Sequence, residues 1–140
     1  MAATERAVEL TIAAARAAAE KKAEESIAID VSERLALTDV FLVLSGGGDR
    51  QVRAIVDAVE EAMARAGAKR RMREGLEEAH WVLLDYDELM IHVQQAEDRE
   101  YYGLERLWKD CPLIALPPEL AGIARAAEAP EAPATSGARG

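Results

Sequence analysis

The 140-residue chain has a single cysteine, two histidines and no apolar stretch long enough to span a bilayer. One cysteine excludes an internal disulfide and a cysteine-rich metal site, and fits a reducing compartment. Cys111 precedes Pro112 in an apolar run and reads as a packing residue. A membrane helix needs roughly 20 apolar residues in succession. Charges at Glu5, Arg6, Glu9 and Arg16 also break any signal-peptide core. A cytoplasmic protein without a membrane partner is therefore expected. Basic residues are scarce as well: 17 Lys and Arg stand against 26 Asp and Glu, a net charge of −9. Such a chain does not coat nucleic acid by itself, so little or no direct nucleic-acid binding is expected. The acids crowd between Glu74 and Asp110, whereas Arg65, Lys69, Arg70, Arg71 and Arg73 form a basic island. The acidic face suits a basic partner protein, or serves solubility alone.

What is present is a globular composition, 50% hydrophobic and 31% charged, with room for one domain and a real core. Thr4 to Glu24 is Ala-rich without Gly or Pro and predicts a helix with a weak stripe of Val8, Ile12, Ala15 and Ala19. Ser26 to Val31 alternates with period two, a strand. Asp39 to Ser45 is continuously apolar, the pattern of a strand buried on both faces. It runs into Gly46-Gly47-Gly48, after which Val52, Ile55, Val56, Val59 and Met63 recur at helical spacing up to Gly67. Ala68 to Arg73 reads as a short exposed strand. Tyr101, Leu104 and Trp108 share a helical face. The expected architecture is α/β, a mixed α+β sheet of about five strands with helices packed on it. The domain is expected over residues 1–116, with a disordered Pro/Ala/Gly-rich tail over 117–140.

His80 to Val93 predicts a β-hairpin around an acidic turn. With Asp85 and Tyr86 central and Asp87 left-handed, Leu84 faces Glu88, Leu83 faces Leu89 and Trp81 faces Ile91. Trp81, Leu83, Leu89, Ile91 and Val93 then share one face, and His80 lies opposite His92 on the other. Tyr86 and Asp85 project from the turn. A one-residue slip in register would exchange the faces of one strand.

Chemistry is hard to find in these residues. The glycine loop could hold phosphate at a helix start, but it lacks the lysine and hydroxyl of a P-loop and the dinucleotide spacing. Asp49 and Asp57 are not spaced as a metal-binding carboxylate pair, and Asp85 and Asp87 suit a turn for backbone reasons. The two histidines lack a third zinc ligand. No catalytic residue, metal or cofactor is assigned. Trp81, Tyr86, Tyr101, Tyr102 and Trp108 lie in the acidic half, among Asp85, Asp87, Glu88 and Glu100. Core packing accounts for Trp108 and Trp81, and the remaining aromatics with these acids form a candidate protein-docking anchor.

Asp39-Val-Phe-Leu-Val-Leu-Ser45-Gly46, Asp49-Arg50-Gln51-Val52, Glu74-Gly75, Trp81 to Tyr86, His92-Val93 and Tyr102-Gly-Leu-Glu105-Arg-Leu107-Trp108 together resemble the ribosomal silencing factor family, RsfS or Iojap. The resemblance runs from about Thr4 to Pro112. It implies a nucleotidyltransferase-like fold without the catalytic carboxylates, and hence no enzyme. It also implies binding to protein fourteen of the large ribosomal subunit, which blocks joining of the small subunit and represses translation when nutrients are scarce. The partner-binding residues expected on this basis are Trp81, Asp85, Tyr86, His92, Glu100, Tyr101 and Tyr102. An exposed edge strand makes a homodimer of the free protein reasonable. Gly48 stands where the family usually has Ser, and Asp87 where it usually has Gly. The alternative reading is a metal-dependent nucleotidyltransferase that uses the glycine loop with Asp49 or Asp85.

Overall fold

The computed structural model describes residues 2–97 and 108–120. Thr4 caps the first helix, α1 (Glu5–Glu20), its hydroxyl accepting the Ala7 N–H at 3.1 Å. The buried stripe of α1 runs through Ala7, Leu10, Ala14 and Ala18, and Val8 and Ile12 are only half-buried. The expected stripe is therefore rotated, although Ala15 belongs to both. Alanine contributes little to a hydrophobic pattern, yet its small side chain lets α1 lie close against a second helix, α2 (Asp49–Arg65).

Between these helices, β1 (Glu25–Asp30) runs antiparallel to β2 (Val40–Gly46), and every residue of β2 is buried. After α2 come β3 (Met72–Glu74), β4 (Trp81–Asp85), β5 (Leu89–Gln95) and β6 (Leu113–Ile114). The six described strands form one sheet in the order β3-β4-β5-β2-β1-β6. Only β2 and β5 pair parallel, and α2 makes the first part of the crossover between them. The sixth strand, absent from the sequence expectation, is two residues paired with Ala28 and Ile29, too short to leave a pattern.

Both helices lie on one face of the sheet, where Leu10, Val52, Ile55, Val59 and Met63 meet Leu42, Leu44, Leu84 and Ile91. On the other face Ile27, Ile29, Phe41 and Val43 are covered by Leu35, Trp108 and Cys111. Burial on both sides is the reason Val40 to Leu44 of β2 are all apolar.

The hairpin of β4 and β5 is tighter than its sequence suggested. Trp81 faces Gln94, Leu83 faces His92 and Leu84 faces Ile91. The Tyr86 N–H donates to the Leu89 carbonyl at 2.9 Å, leaving Asp87 and Glu88 as the turn. Asp87 does take the left-handed conformation, at φ +72°. Its N–H donates to Asp85 Oδ1 at 2.8 Å and its carboxylate accepts from Arg71 at 2.7 Å. These bonds offset the strain of a non-glycine residue at this φ. The loop holds two residues where three were expected, so the two strands slip by an odd number and their faces are reassigned. Val82, Leu84, Tyr86, Leu89, Ile91 and Val93 all turn to the helices. His92 meets Leu83, not His80.

The described residues continue past 116, the expected end of the domain, to Leu120. Leu116 and Leu120 are buried in the helix-side core, and Glu119 lies 3.8 Å from Arg16 of α1. Residues 121–140 fall outside the described residues. Leu120→Ala is expected to cost about 2 kcal/mol, the lower end for a buried leucine because the site is at the edge of the core. Thermal unfolding of chains ending at Pro118 and at Leu120 measures the same contribution. Equal midpoints would show that Leu120 adds nothing.

Candidate functional site

On the sheet face away from the helices, residues alternate with period two, so Trp81, Leu83 and Asp85 of β4 stand beside Gln94, His92 and Met90 of β5. The Trp81 indole Nε1–H donates to His92 Nδ1 at 3.0 Å, and the two ring centroids are 5.9 Å apart. His92 in turn meets the Phe41 ring edge-on at 5.0 Å, and Phe41 meets Trp108 edge-on at 5.1 Å. A line of aromatic contacts thus crosses the sheet from Trp81 to Trp108.

Trp81 is half-buried, and it borders a cleft of about 290 Å³ together with Leu83, His92, Glu74 and Gly75. The left-handed conformation of Gly75, φ +87°, carries the chain close over β4. A Cβ there would stand 2.2 Å from the Trp81 carbonyl oxygen, so only glycine lets the Glu74-Gly75 turn approach the tryptophan. Burial pushes His92 down to about 4, so its imidazole is neutral near pH 7.

The structure brings Trp81 and His92 together but separates Asp85 and Tyr86 from them in role. Tyr86 turns to the helix side, where it is 5% exposed. Burial, and secondarily the Glu60 carboxylate, raise its phenol above the usual tyrosine range. Asp85 shares the face of Trp81 but is buried, and it holds the turn through the Asp87 N–H. The exposed turn carrying both residues is thereby corrected, because the two-residue turn draws them back into the sheet. Glu100, Tyr101 and Tyr102 lie outside the described residues. Leu83, Glu74 and Gly75 were not among the expected site residues. Leu83 could have been found by stepping two residues along the strand from Trp81. Glu74-Gly75 reads locally as a turn, but its contact with β4 depends on how the two segments pack.

The glycine loop is arranged unfavourably for phosphate. The Gly47 N–H is occupied by Gln51 Oε1, Glu24 Oε2 is 3.0 Å from the position of a Gly47 Cβ, and Asp49 adds negative charge in the first turn of α2. An anion placed there would meet two carboxylates. Among the described residues, no group of three or more His, Cys, Asp or Glu could hold a metal ion. Nor is any helix among them long and apolar enough to cross a membrane.

Comparison with known proteins gives the family and agrees with the fold. The model of the family described as "Ribosomal silencing factor during starvation", RsfS, matches residues 4–139. The ribosomal silencing factor RsfS of Bacillus subtilis is 39% identical over 103 residues, 74% of this chain and 87% of that protein. The factor of the same name from Halalkalibacterium halodurans is 35% identical over 108 residues, covering 77% and 92%. A crystal structure of a Chromobacterium violaceum protein superposes with a TM-score of 0.71 at 31% identity, over 74% of this chain and 86% of that one. The fold is thus that of a mixed-sheet α/β protein, with a cleft bordered by Trp81 on the sheet face away from the helices. The chain belongs to the ribosomal silencing factor family, which is named for a regulatory role and not for a reaction.

Proposed function

We propose that this protein silences ribosomes by docking the Trp81 side of its sheet on protein fourteen of the large subunit. The bound factor blocks joining of the small subunit and represses translation when nutrients are scarce. The observation that carries this reading is the half-buried Trp81 at an open cleft with Leu83, His92 and Glu74, in a chain of this family. A large aromatic in a partly desolvated pocket is the usual anchor of a protein interface. The acidic turn contributes less than its composition suggested, since Asp85 and Asp87 are engaged within the chain. Such a factor acts where ribosomes are, in the cytoplasm. For the free protein, β3 offers an edge of three exposed residues through which two copies could pair as a homodimer.

Trp81→Ala is expected to weaken binding to purified large subunits about 30-fold, the effect of losing an anchor worth about 2 kcal/mol. Sedimentation with large subunits gives the affinity, a subunit-joining assay gives the silencing, and urea unfolding confirms that the variant is folded. A folded Trp81→Ala protein that still binds and silences would move the docking surface elsewhere.

A further inference from the structure

The two ring nitrogens of His92 are used differently. Nδ1 accepts the Trp81 indole N–H at 3.0 Å, so in the neutral imidazole the proton sits on Nε2. Nε2 is sealed from solvent and has no hydrogen-bond partner. A docked protein therefore has no path to His92 at this nitrogen, and the other is taken. The ring is clamped from the far side by Phe41, itself 6% exposed and held by Trp108.

We infer that His92 is a positioning residue: its Nδ1 ties down the polar edge of the Trp81 indole, so that Trp81 meets the partner with its apolar ring surface. His92 itself exchanges no hydrogen bond with the partner. This rests on the docking reading above, and it changes the role of His92 from contact to support. Without the acceptor, the indole N–H would be an unsatisfied donor at the rim of the cleft, and the ring would turn to find water or a carbonyl. An indole that can rotate must be ordered again on binding, which weakens the complex.

The test separates the acceptor from the packing. Asn places its side-chain oxygen near the position of Nδ1 but leaves a cavity, whereas Phe fills the ring volume and accepts nothing. His92→Phe is expected to weaken large-subunit binding about tenfold, and His92→Asn less than about threefold, the difference being one hydrogen bond. In a Trp81→Phe background, which has no indole N–H, the two substitutions should differ by less than about twofold. Nitrogen chemical shifts of the parent protein's imidazole should show the proton on Nε2. The inference is overturned if His92→Phe binds like the parent, or if His92→Asn binds more weakly than His92→Phe. A proton on Nδ1 overturns it as well, and that measurement decides the matter even if His92→Phe does not fold. If Trp81→Ala leaves binding unchanged, the docking reading fails and this inference with it. If Trp81→Ala loses binding while His92→Phe does not, only the role given to His92 fails.

Discussion

Tyr86→Ala is expected to destabilise the domain by about 3–5 kcal/mol, the cost of removing a large aromatic from a close-packed core. Tyr86 is 5% exposed and lies in the core beneath the helices, directly after β4. Truncation there removes most of an aromatic ring and leaves a cavity that the paired strands on either side cannot close. A domain of this size has about 5–15 kcal/mol of stability in all, so the loss is a large share of it. Tyr86→Phe keeps the ring and should cost about 1 kcal/mol or less. Urea unfolding of both variants against the parent, at unchanged m-value, measures the difference. A loss below about 1 kcal/mol for Tyr86→Ala would put the side chain out in solvent. Loss of large-subunit binding in Tyr86→Ala therefore counts toward docking only where the unfolding curve shows a folded variant.

The second large effect is a dependence of stability on pH that is due to His92. Its ordinary value of 6.5 applies in the unfolded chain, and burial pushes it down to about 4 in the folded one. Between these limits the unfolded chain binds a proton that the folded imidazole refuses. Stability therefore rises with pH through this window, and its contribution is complete above about 6.5. On acidification it falls progressively from pH 6.5 to about 4, by a total on the order of 3 kcal/mol. Protonation would place a charge in the core and a second N–H against the Trp81 indole N–H, which explains the direction. Urea unfolding at a series of pH values between 7 and 5 should show the slope in the parent. The same slope in His92→Phe would assign it to other groups. The measured range, pH 7 to 5, lies above the ordinary Asp and Glu values of about 4, so the acids contribute less to the slope there than they do nearer pH 4.

Much of the fold could be read from single residues and short patterns. The unbroken apolar run of β2 announced a strand covered on both faces, and the spacing of Val52, Ile55, Val59 and Met63 announced α2. Gly67 at φ +81° and Asp87 at φ +72° take the backbone conformations expected of them. In each case the cause is local: a period, or a residue that tolerates an unusual φ. The family was legible too, through the order and spacing of motifs that are unspecific one at a time.

The site was legible only in part. Trp81 and His92 were singled out, but not the bond between them. That bond depends on the register of β4 against β5, and the register depends on whether the turn holds two residues or three. Alternation could not decide this, because apolar residues occur on both faces of both strands, so either pairing buries a greasy surface. Packing against α1 and α2 settles it, since only the shorter turn sends Leu84, Tyr86, Ile91 and Val93 to the same core. The alanine stripe of α1 and the burial of Leu120 have the same origin, in contacts with residues distant in sequence. What the sequence determined by itself are the elements, because helix period, strand burial and turn conformation are properties of neighbouring residues. What the tertiary structure alone decided is which side chains share a face, because that is a property of how the elements pack together.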